Sequence, residues 1–128
     1  MNKAKILVVE DEWIIANDIK DSLISMGYMV SGMAASSEEA LARAEECLPD
    51  LALMDIVLKG QKNGIETVKE LRARGYDIPV IYLTAYDNQY LVDQAKLTDN
   101  NGYLLKPFKD RELHIAIELA LAKKTRQS

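Results

Sequence analysis

Short runs of aliphatic and β-branched residues alternate along the chain with longer segments whose apolar residues recur every three or four positions. The short runs indicate strands, and the wider spacing indicates amphipathic helices. The predicted strands are Lys5–Val9, Tyr28–Met33, Leu51–Asp55, Pro79–Leu83 and Gly102–Leu105. The first, third and fourth are almost continuously apolar, which predicts strands that are covered on both faces.

Residues that start or stop helices mark the segments between these strands. In the first predicted helix, Ile15, Ile19, Leu23 and Met26 share one face and Gly27 follows. The other helices are predicted from Ser36 or Ser37 to before Pro49, from Asn63-Gly64 to Gly75, from about Asp87 to Leu97, and from about Lys109 to Lys124. Strict alternation of strand and helix predicts a doubly wound α/β fold, in which right-handed crossovers place helices on both faces of a parallel sheet. We expect one domain over residues 1–128.

Composition narrows the function classes. The 128 residues carry a formal net charge of -4, and a short cluster near Lys123 and Lys124 is the main concentration of basic residues, so direct nucleic-acid binding is not expected. No apolar run approaches the length of a membrane span and no signal-peptide pattern is present, which predicts a cytoplasmic protein. Cys47 is the only cysteine and His114 the only histidine, which excludes an intrachain disulfide and histidine-rich zinc sites.

Polar residues collect where the predicted strands end. The first strand leads into Glu10-Asp11-Glu12, the third ends in Asp55, the fourth is followed by Thr84 and the fifth by Lys106. Because the carboxyl ends of parallel strands meet at one edge, these groups are expected to lie together. Crowded carboxylates favour a hard cation such as Mg²⁺, and a carboxylate beside a hydroxyl and an ammonium suits phosphoryl transfer.

Each of these residues also has a simpler explanation when it is taken alone. Acids after a strand commonly cap the next helix, and an aspartate at a strand end often only marks the return to solvent. Thr84 is a β-branched residue of the type found in strands, and Lys106 before a proline suits a solvated loop. One mechanism explains all of them together, at the strand ends where it requires them.

Four segments in order resemble the receiver domains of two-component response regulators. They are Val8–Glu12, Leu53–Asp55, Leu83–Ala85 and Gly102–Phe108. The resemblance covers essentially the whole chain and implies a flavodoxin-like receiver fold, with five helices and a five-stranded parallel sheet of order 2-1-3-4-5.

The resemblance also implies a role for each matching residue. Asp55 corresponds to the phosphoacceptor, and Lys106 to the lysine that binds the phosphoryl group. Glu10 and Asp11 correspond to the acidic pair that holds Mg²⁺ (or Mn²⁺), with Asp11 the direct ligand and Glu10 acting mainly through bound water. Asp55 and the backbone carbonyl of Val57 complete the implied metal ligands. Thr84 and Tyr103 correspond to the switch residues, and Lys106–Pro107 to a cis peptide bond.

The implied function is a phosphorylation-dependent signalling switch, not an enzyme with an external substrate. The implied partner is a histidine kinase or a histidine phosphotransfer domain. Ile115 and Leu119 form a second apolar stripe on the last helix. Two explanations stay open for it: scattered exposed aliphatic residues, or a surface formed on activation for a partner or for a homodimer through helix 4, strand 5 and helix 5. Trp13 and Ile14, beside the acids, are candidates for kinase contact. The sequence identifies neither the cognate kinase nor the target, and it does not decide between a stand-alone receiver and a piece of a larger protein.

Two alternatives remain open: a degenerate receiver that acts only as an interaction module, and an acyl-phosphate phosphatase. A phosphatase of the haloacid-dehalogenase type wants a second aspartate where this chain has Val57. Nucleotide-binding glycine motifs are missing, and a flavin-binding flavodoxin would want a Ser/Thr-rich loop after the first strand.

The chain departs from the receiver pattern in several places. Glu10 stands where aspartate is more usual, and the loop Val57–Asn63 lacks a proline and is one residue longer. At Asp99–Asn101 we predict a turn with an asparagine in the left-handed conformation. Val57 and Tyr86 occupy positions that tune dephosphorylation in the family, and neither offers a charged group to a hydrolytic water, which predicts slow self-dephosphorylation.

Overall fold

The computed structural model describes residues 3–85 and 89–127, and a parallel sheet forms its centre. The strands are β1 (Lys5–Val9), β2 (Met29–Ala34), β3 (Leu51–Asp55), β4 (Val80–Thr84) and β5 (Tyr103–Leu105). They lie in the order β2-β1-β3-β4-β5, and each neighbouring pair is parallel. The predicted five-stranded sheet of order 2-1-3-4-5 is therefore confirmed.

One helix follows each strand. The helices are α1 (Trp13–Ser25), α2 (Ser37–Glu46), α3 (Gly64–Ala73), α4 (Gln89–Lys96) and α5 (Asp110–Gln127). Ser36 caps α2, because its hydroxyl accepts the N–H of Glu39 at 3.2 Å. The predicted start of α4 at Asp87 lies outside the described residues.

Some predicted strand ends are wrong by one residue, for reasons visible in the hydrogen bonds. Tyr28 does not open β2, because its N–H still donates to the Leu23 carbonyl at the end of α1, at 3.0 Å. Thr84 belongs to β4, because its carbonyl accepts the N–H of Lys106 at 2.8 Å and so extends the ladder with β5.

The core lies on both faces of the sheet. β1, β3 and β4 are buried along almost their whole length, as their apolar sequences predict. Side chains of α2, α3 and α4 pack on one face, and side chains of α1 and α5 pack on the other. Leu113, Ile117 and Ala120 form the buried side of α5, whereas Ile115 and Leu119 are exposed, so the predicted second stripe faces away from the sheet. Among the described helices, none has both the length and the apolar character to cross a membrane.

The turn before β5 corrects a prediction. Neither Asn100 nor Asn101 takes a left-handed conformation, and it is Gly102 that has a positive φ, of 113°. Asn100 contributes through its side chain instead, since its Oδ1 accepts the N–H of Gly102 at 2.8 Å. Glycine adopts this backbone geometry without the steric penalty that a Cβ would add.

Candidate functional site

The strand ends bring the predicted residues to one edge of the sheet. Glu10 directly follows β1, Asp55 ends β3, Thr84 ends β4 and Lys106 directly follows β5. The parallel register pairs Asp55 with Leu83 and Thr84 with Leu105, so the ends of β3, β4 and β5 are aligned side by side. The fold thus gathers these residues from distant parts of the sequence.

Lys106 joins the two carboxylates of β1 and β3. Its Nζ donates to Glu10 Oε1 at 2.6 Å and to Asp55 Oδ2 at 2.6 Å. The Glu10 side chain is fully buried, that of Asp55 is almost so, and the Lys106 side chain is largely covered. Charged hydrogen bonds of this length in a poorly solvated place are strong, and removal of one partner leaves the other charge uncompensated.

Backbone N–H groups satisfy the remaining oxygens of these two carboxylates. Glu10 Oε2 accepts the N–H of Glu12 at 3.1 Å, and Asp55 Oδ1 accepts the N–H of Val57 at 3.0 Å. Glu12 occupies the position before α1, but its side chain makes no capping hydrogen bond. Glu10 is therefore held by Lys106 and by the Glu12 N–H, and helix capping does not explain it.

Burial and the neighbouring charges shift the pKa values of Glu10 and Lys106. Burial raises the pKa of the Glu10 carboxyl and the neighbouring Asp55 carboxyl raises it further, while Lys106 and the Glu12 N–H oppose the change. Burial alone lowers the pKa of Lys106, but its hydrogen bonds to Asp55 and Glu10 outweigh burial, so the pKa lies above its ordinary value. Lys106 is therefore a permanent cation at neutral pH.

Three carboxylates can offer ligands to a cation here. One oxygen each of Glu10, Asp11 and Asp55 lies within 4.8 Å of the others, and Asp11 is the most exposed of the three. Hard oxygen donors in this number suit Mg²⁺, which binds through a few carboxylates and keeps several waters. The Val57 backbone lies beside these carboxylates, because its N–H donates a hydrogen bond to Asp55 Oδ1. The residues present fit the implied cation.

The two predicted switch residues, Thr84 and Tyr103, have contacts unlike those of Lys106. Thr84 is buried and its hydroxyl donates to the neighbouring Ala85 carbonyl at 3.0 Å. Tyr103 is 44% exposed, on the edge strand β5. The Lys106–Pro107 peptide bond that follows this strand is cis.

Sequence patterns did not reveal the importance of Gly64. It was predicted only as the start of a helix, yet it packs directly on the backbone of Asp55. A Cβ added to it would lie 2.0 Å from the Asp55 carbonyl oxygen, a distance that no side chain can occupy. The sequence does hold one indication of this contact: a glycine is the first residue of the helix that follows the strand-end aspartate. Glycine destabilises helices, so its presence there indicates that a side chain would collide with a neighbouring part of the backbone.

Exposed apolar side chains lie beside the site and on the far side of α5. Trp13 is 71% and Ile14 76% exposed at the start of α1. A groove of about 710 Å³ runs next to them between α1 and the start of α5. Its apolar lining comes from Ile15, Ile19, Pro107, Phe108 and Leu113, and acids on its rim are Asp18, Asp21 and Asp110.

Comparison with known proteins gives a consistent result. The family model described as response regulator receiver domain matches residues 6–118. The transcriptional regulatory protein PdtaR of Mycobacterium tuberculosis is 34% identical over 93% of this chain and 57% of its own length. The alkaline phosphatase synthesis transcriptional regulatory protein PhoP of Bacillus subtilis is 37% identical over 94% of this chain and 49% of its own length. The chain thus spans about half the length of these curated relatives.

Solved structures agree in fold. The signal receiver domain of a modulated diguanylate cyclase from Desulfovibrio desulfuricans G20 superposes with a TM-score of 0.92 at 36% identity, covering 99% of this chain and 100% of that one. A CheY-like response regulator receiver domain protein from Methanospirillum hungatei JF-1 gives a TM-score of 0.89 at 26% identity, covering 99% and 100%.

Proposed function

Since this chain belongs to the response regulator receiver domain family, we propose that it is a phosphorylation switch. In this proposal Asp55 accepts a phosphoryl group from a histidine kinase or a histidine phosphotransfer domain, and the transfer uses Mg²⁺ (or Mn²⁺). The main support is the Lys106 ammonium, which lies 2.6 Å from Asp55 Oδ2 at the buried end of β3. A carboxylate that is held beside a fixed cation is placed to receive a group whose oxygens carry negative charge. The proposal takes residues 1–128 as one receiver domain, and a cytoplasmic location without direct nucleic-acid or membrane binding remains a prediction.

The proposed transfer is a displacement at phosphorus. A carboxylate oxygen of Asp55 forms the new O–P bond as the N–P bond of phosphohistidine breaks, and the leaving imidazole nitrogen keeps the electron pair and takes up a proton. Lys106 moves its hydrogen bond from Asp55 to a phosphoryl oxygen, and Glu10 keeps the ammonium in place. Asp11, Asp55 and the Val57 carbonyl would hold Mg²⁺, which would supply positive charge to neutralise the acceptor and the incoming group.

The switch follows from the added charge. A phosphoryl group carries about -1.5 to -2 charges, where the carboxylate carries -1. We place the response in Thr84, which turns its hydroxyl from the Ala85 carbonyl toward the phosphoryl group, and in Tyr103, which moves inward from its half-exposed position. Phosphorylation then shifts the population of conformations at α4, β5 and α5.

The test is mass spectrometry after incubation with acetyl phosphate and Mg²⁺. We expect one added phosphoryl group, mapped to the peptide that contains Asp55, and no addition when EDTA removes the cation. A protein that stays unmodified while still binding a kinase would be an interaction module. Steady release of phosphate from external acyl phosphates would indicate a phosphatase.

We propose that phosphorylation creates a homodimer through α4, β5 and α5. Large apolar or aromatic side chains are exposed on these elements, at Tyr90, Tyr103, Ile115 and Leu119, and at Leu97 directly after α4. Apolar patches of this kind are typical of protein interfaces. Light scattering is expected to give a dimer when the phosphoryl mimic beryllofluoride is present, and Leu119→Lys to reduce it. A monomer in both states contradicts the proposal.

Kinase contact is assigned to the other face, at Trp13 and Ile14 and the neighbouring groove between α1 and α5. The exposure of both side chains supports this assignment, since amphipathic helices bind in apolar grooves of this type. The acids on the rim favour a partner with basic residues at the edge of the contact.

We expect the phosphorylated state to be long-lived. Val57 has a 62% exposed, apolar side chain next to Asp55, so it gives an attacking water no polar partner. Tyr86 lies outside the described residues, and its contribution is predicted from its position in the sequence alone. The double substitution Val57→Asn with Tyr86→Glu is expected to speed the loss of phosphate, measured by mass spectrometry over time after the donor is removed. An unchanged lifetime contradicts this prediction.

A further inference from the structure

The segment from Asp55 to Gly64 returns to the place where it begins. Gly64 N–H donates to the Ile56 carbonyl at 2.8 Å, which joins the two ends of the β3–α3 loop. Gly64 also lies so close to β3 that an added Cβ would be 2.0 Å from the Asp55 carbonyl oxygen and 2.9 Å from its carbonyl carbon. Gly64 has no positive φ, so contact with the Asp55 backbone, and not local backbone strain, excludes a side chain there.

The loop therefore contacts Asp55 at two points. At its start, Val57 N–H donates to Asp55 Oδ1 at 3.0 Å and so orients the carboxylate. At its end, Gly64 rests on the Asp55 backbone. At the start of the loop the Val57 side chain is exposed and the next side chain, that of Leu58, is buried. This alternation fixes the direction in which the loop leaves the sheet.

A hydrogen-bond cluster fixes the closing end. Asn63 Oδ1 accepts the N–H of Glu66 at 2.9 Å, and Glu66 Oε1 accepts the N–H of Asn63 at 3.0 Å, which is a complete capping box. The Thr67 hydroxyl bonds with the Asn63 carbonyl at 2.8 Å and with the Ser37 hydroxyl at 2.8 Å. Thr67 and Ser37 are both buried, so this contact ties the first turn of α3 to the first turn of α2.

From this geometry we propose that Gly64 and Thr67 are positioning residues that set the orientation of the Asp55 carboxylate and of the Val57 backbone, and thereby the affinity of the site for Mg²⁺. The inference rests on the proposed function, because it takes Asp55 and Val57 as cation ligands. It explains how a loop that lacks the usual proline and is one residue longer still presents an ordered site: the order comes from the closing contacts on Asp55, not from the stiffness of the loop. Residues that hold metal ligands commonly change metal affinity about 10- to 100-fold when they are altered.

The test is a Mg²⁺ titration without phosphoryl donor, followed by the fluorescence of Trp13, the only tryptophan, and checked by calorimetry. Gly64→Ala is expected to weaken Mg²⁺ binding about 10-fold or more. It should also shift the NMR signal of the Val57 N–H before any Mg²⁺ is added. Thr67→Val keeps the shape of the side chain and is expected to give a smaller loss in the same direction, which keeps the test decisive if Gly64→Ala does not fold.

Two controls separate positioning from general damage. Gln61→Ala shortens an exposed side chain of the same loop and leaves its backbone unstrained, so Mg²⁺ affinity should be unchanged. Ile117→Ala removes a buried side chain of α5, on the opposite face of the sheet; it should lower the stability of the fold and leave the Mg²⁺ affinity unchanged.

Folded Gly64→Ala and Thr67→Val proteins with wild-type Mg²⁺ affinity would overturn the inference while phosphorylation of Asp55 stands. Weakened Mg²⁺ binding together with an unphosphorylated wild-type Asp55 would instead overturn the proposed function, and a wild-type protein that binds no Mg²⁺ overturns both.

Discussion

An Asp55→Asn protein is expected to take up no phosphoryl group from acetyl phosphate and Mg²⁺ under conditions that modify the wild-type chain completely. The amide keeps the shape of the side chain and can still accept the Val57 N–H, so the loop is retained. It lacks the anionic oxygen that attacks phosphorus. Glu10 is not expected to replace it, because its carboxylate is fully buried and both its oxygens are already hydrogen-bonded, to Lys106 and to the Glu12 N–H.

Mass spectrometry of the intact protein measures this outcome, and Asp50→Asn is the matched control. Asp50 directly precedes the same strand at the opposite edge of the sheet, where it accepts the Lys5 N–H at 2.7 Å. The control should be phosphorylated like the wild type. A phosphoryl group that persists in the Asp55→Asn protein, on Asp11 or elsewhere, would show that the acceptor has been assigned to the wrong residue.

The gathering of the site was predictable because it depends on local patterns and on one rule of parallel sheets. Apolar runs located β1, β3 and β4, and each run ends in the sequence within one residue of a polar group. Parallel strands then place Glu10, Asp55, Thr84 and Lys106 at one edge, whatever the details of packing. The same reasoning predicted the buried side of α1, where Ile19 and Leu23 recur at helical spacing.

Contacts between distant residues were not predictable in this way. Periodicity gives no distance between Lys106 and Glu10, which are 96 positions apart, and so did not reveal that one ammonium holds both carboxylates. The contact of Gly64 on Asp55 depends on how tightly α3 approaches β3. The prediction for the turn before β5 was wrong for a related reason. Asparagine and glycine both tolerate a positive φ, and here Gly102 has it, with its N–H donating to the Asn100 side chain.

Lys106→Met is expected to change two properties of the site in opposite directions. Phosphoryl transfer to Asp55 should slow about 100-fold or more, because a charged donor to the transferring group is lost. Mg²⁺ binding should become tighter, by about 10-fold, because Glu10 and Asp55 lose the cation that now neutralises them and their mutual repulsion favours a replacement. A residue that served the fold alone would not improve metal binding when it is removed.

The same substitution should lower the free energy of unfolding by about 3 kcal/mol, since it leaves two buried carboxylates without their counter-ion. Saturating Mg²⁺ should recover much of this loss, because the cation binds only the folded protein. Thermal denaturation with Mg²⁺ or EDTA measures the effect beside the fluorescence titration and the phosphorylation rate. Lys109→Met, an exposed lysine three positions away, is the control and should change none of the three. If Lys106→Met instead weakened Mg²⁺ binding, the lysine would have to support the cation site, and its assignment as a neutralising group that yields to the phosphoryl oxygens would be wrong.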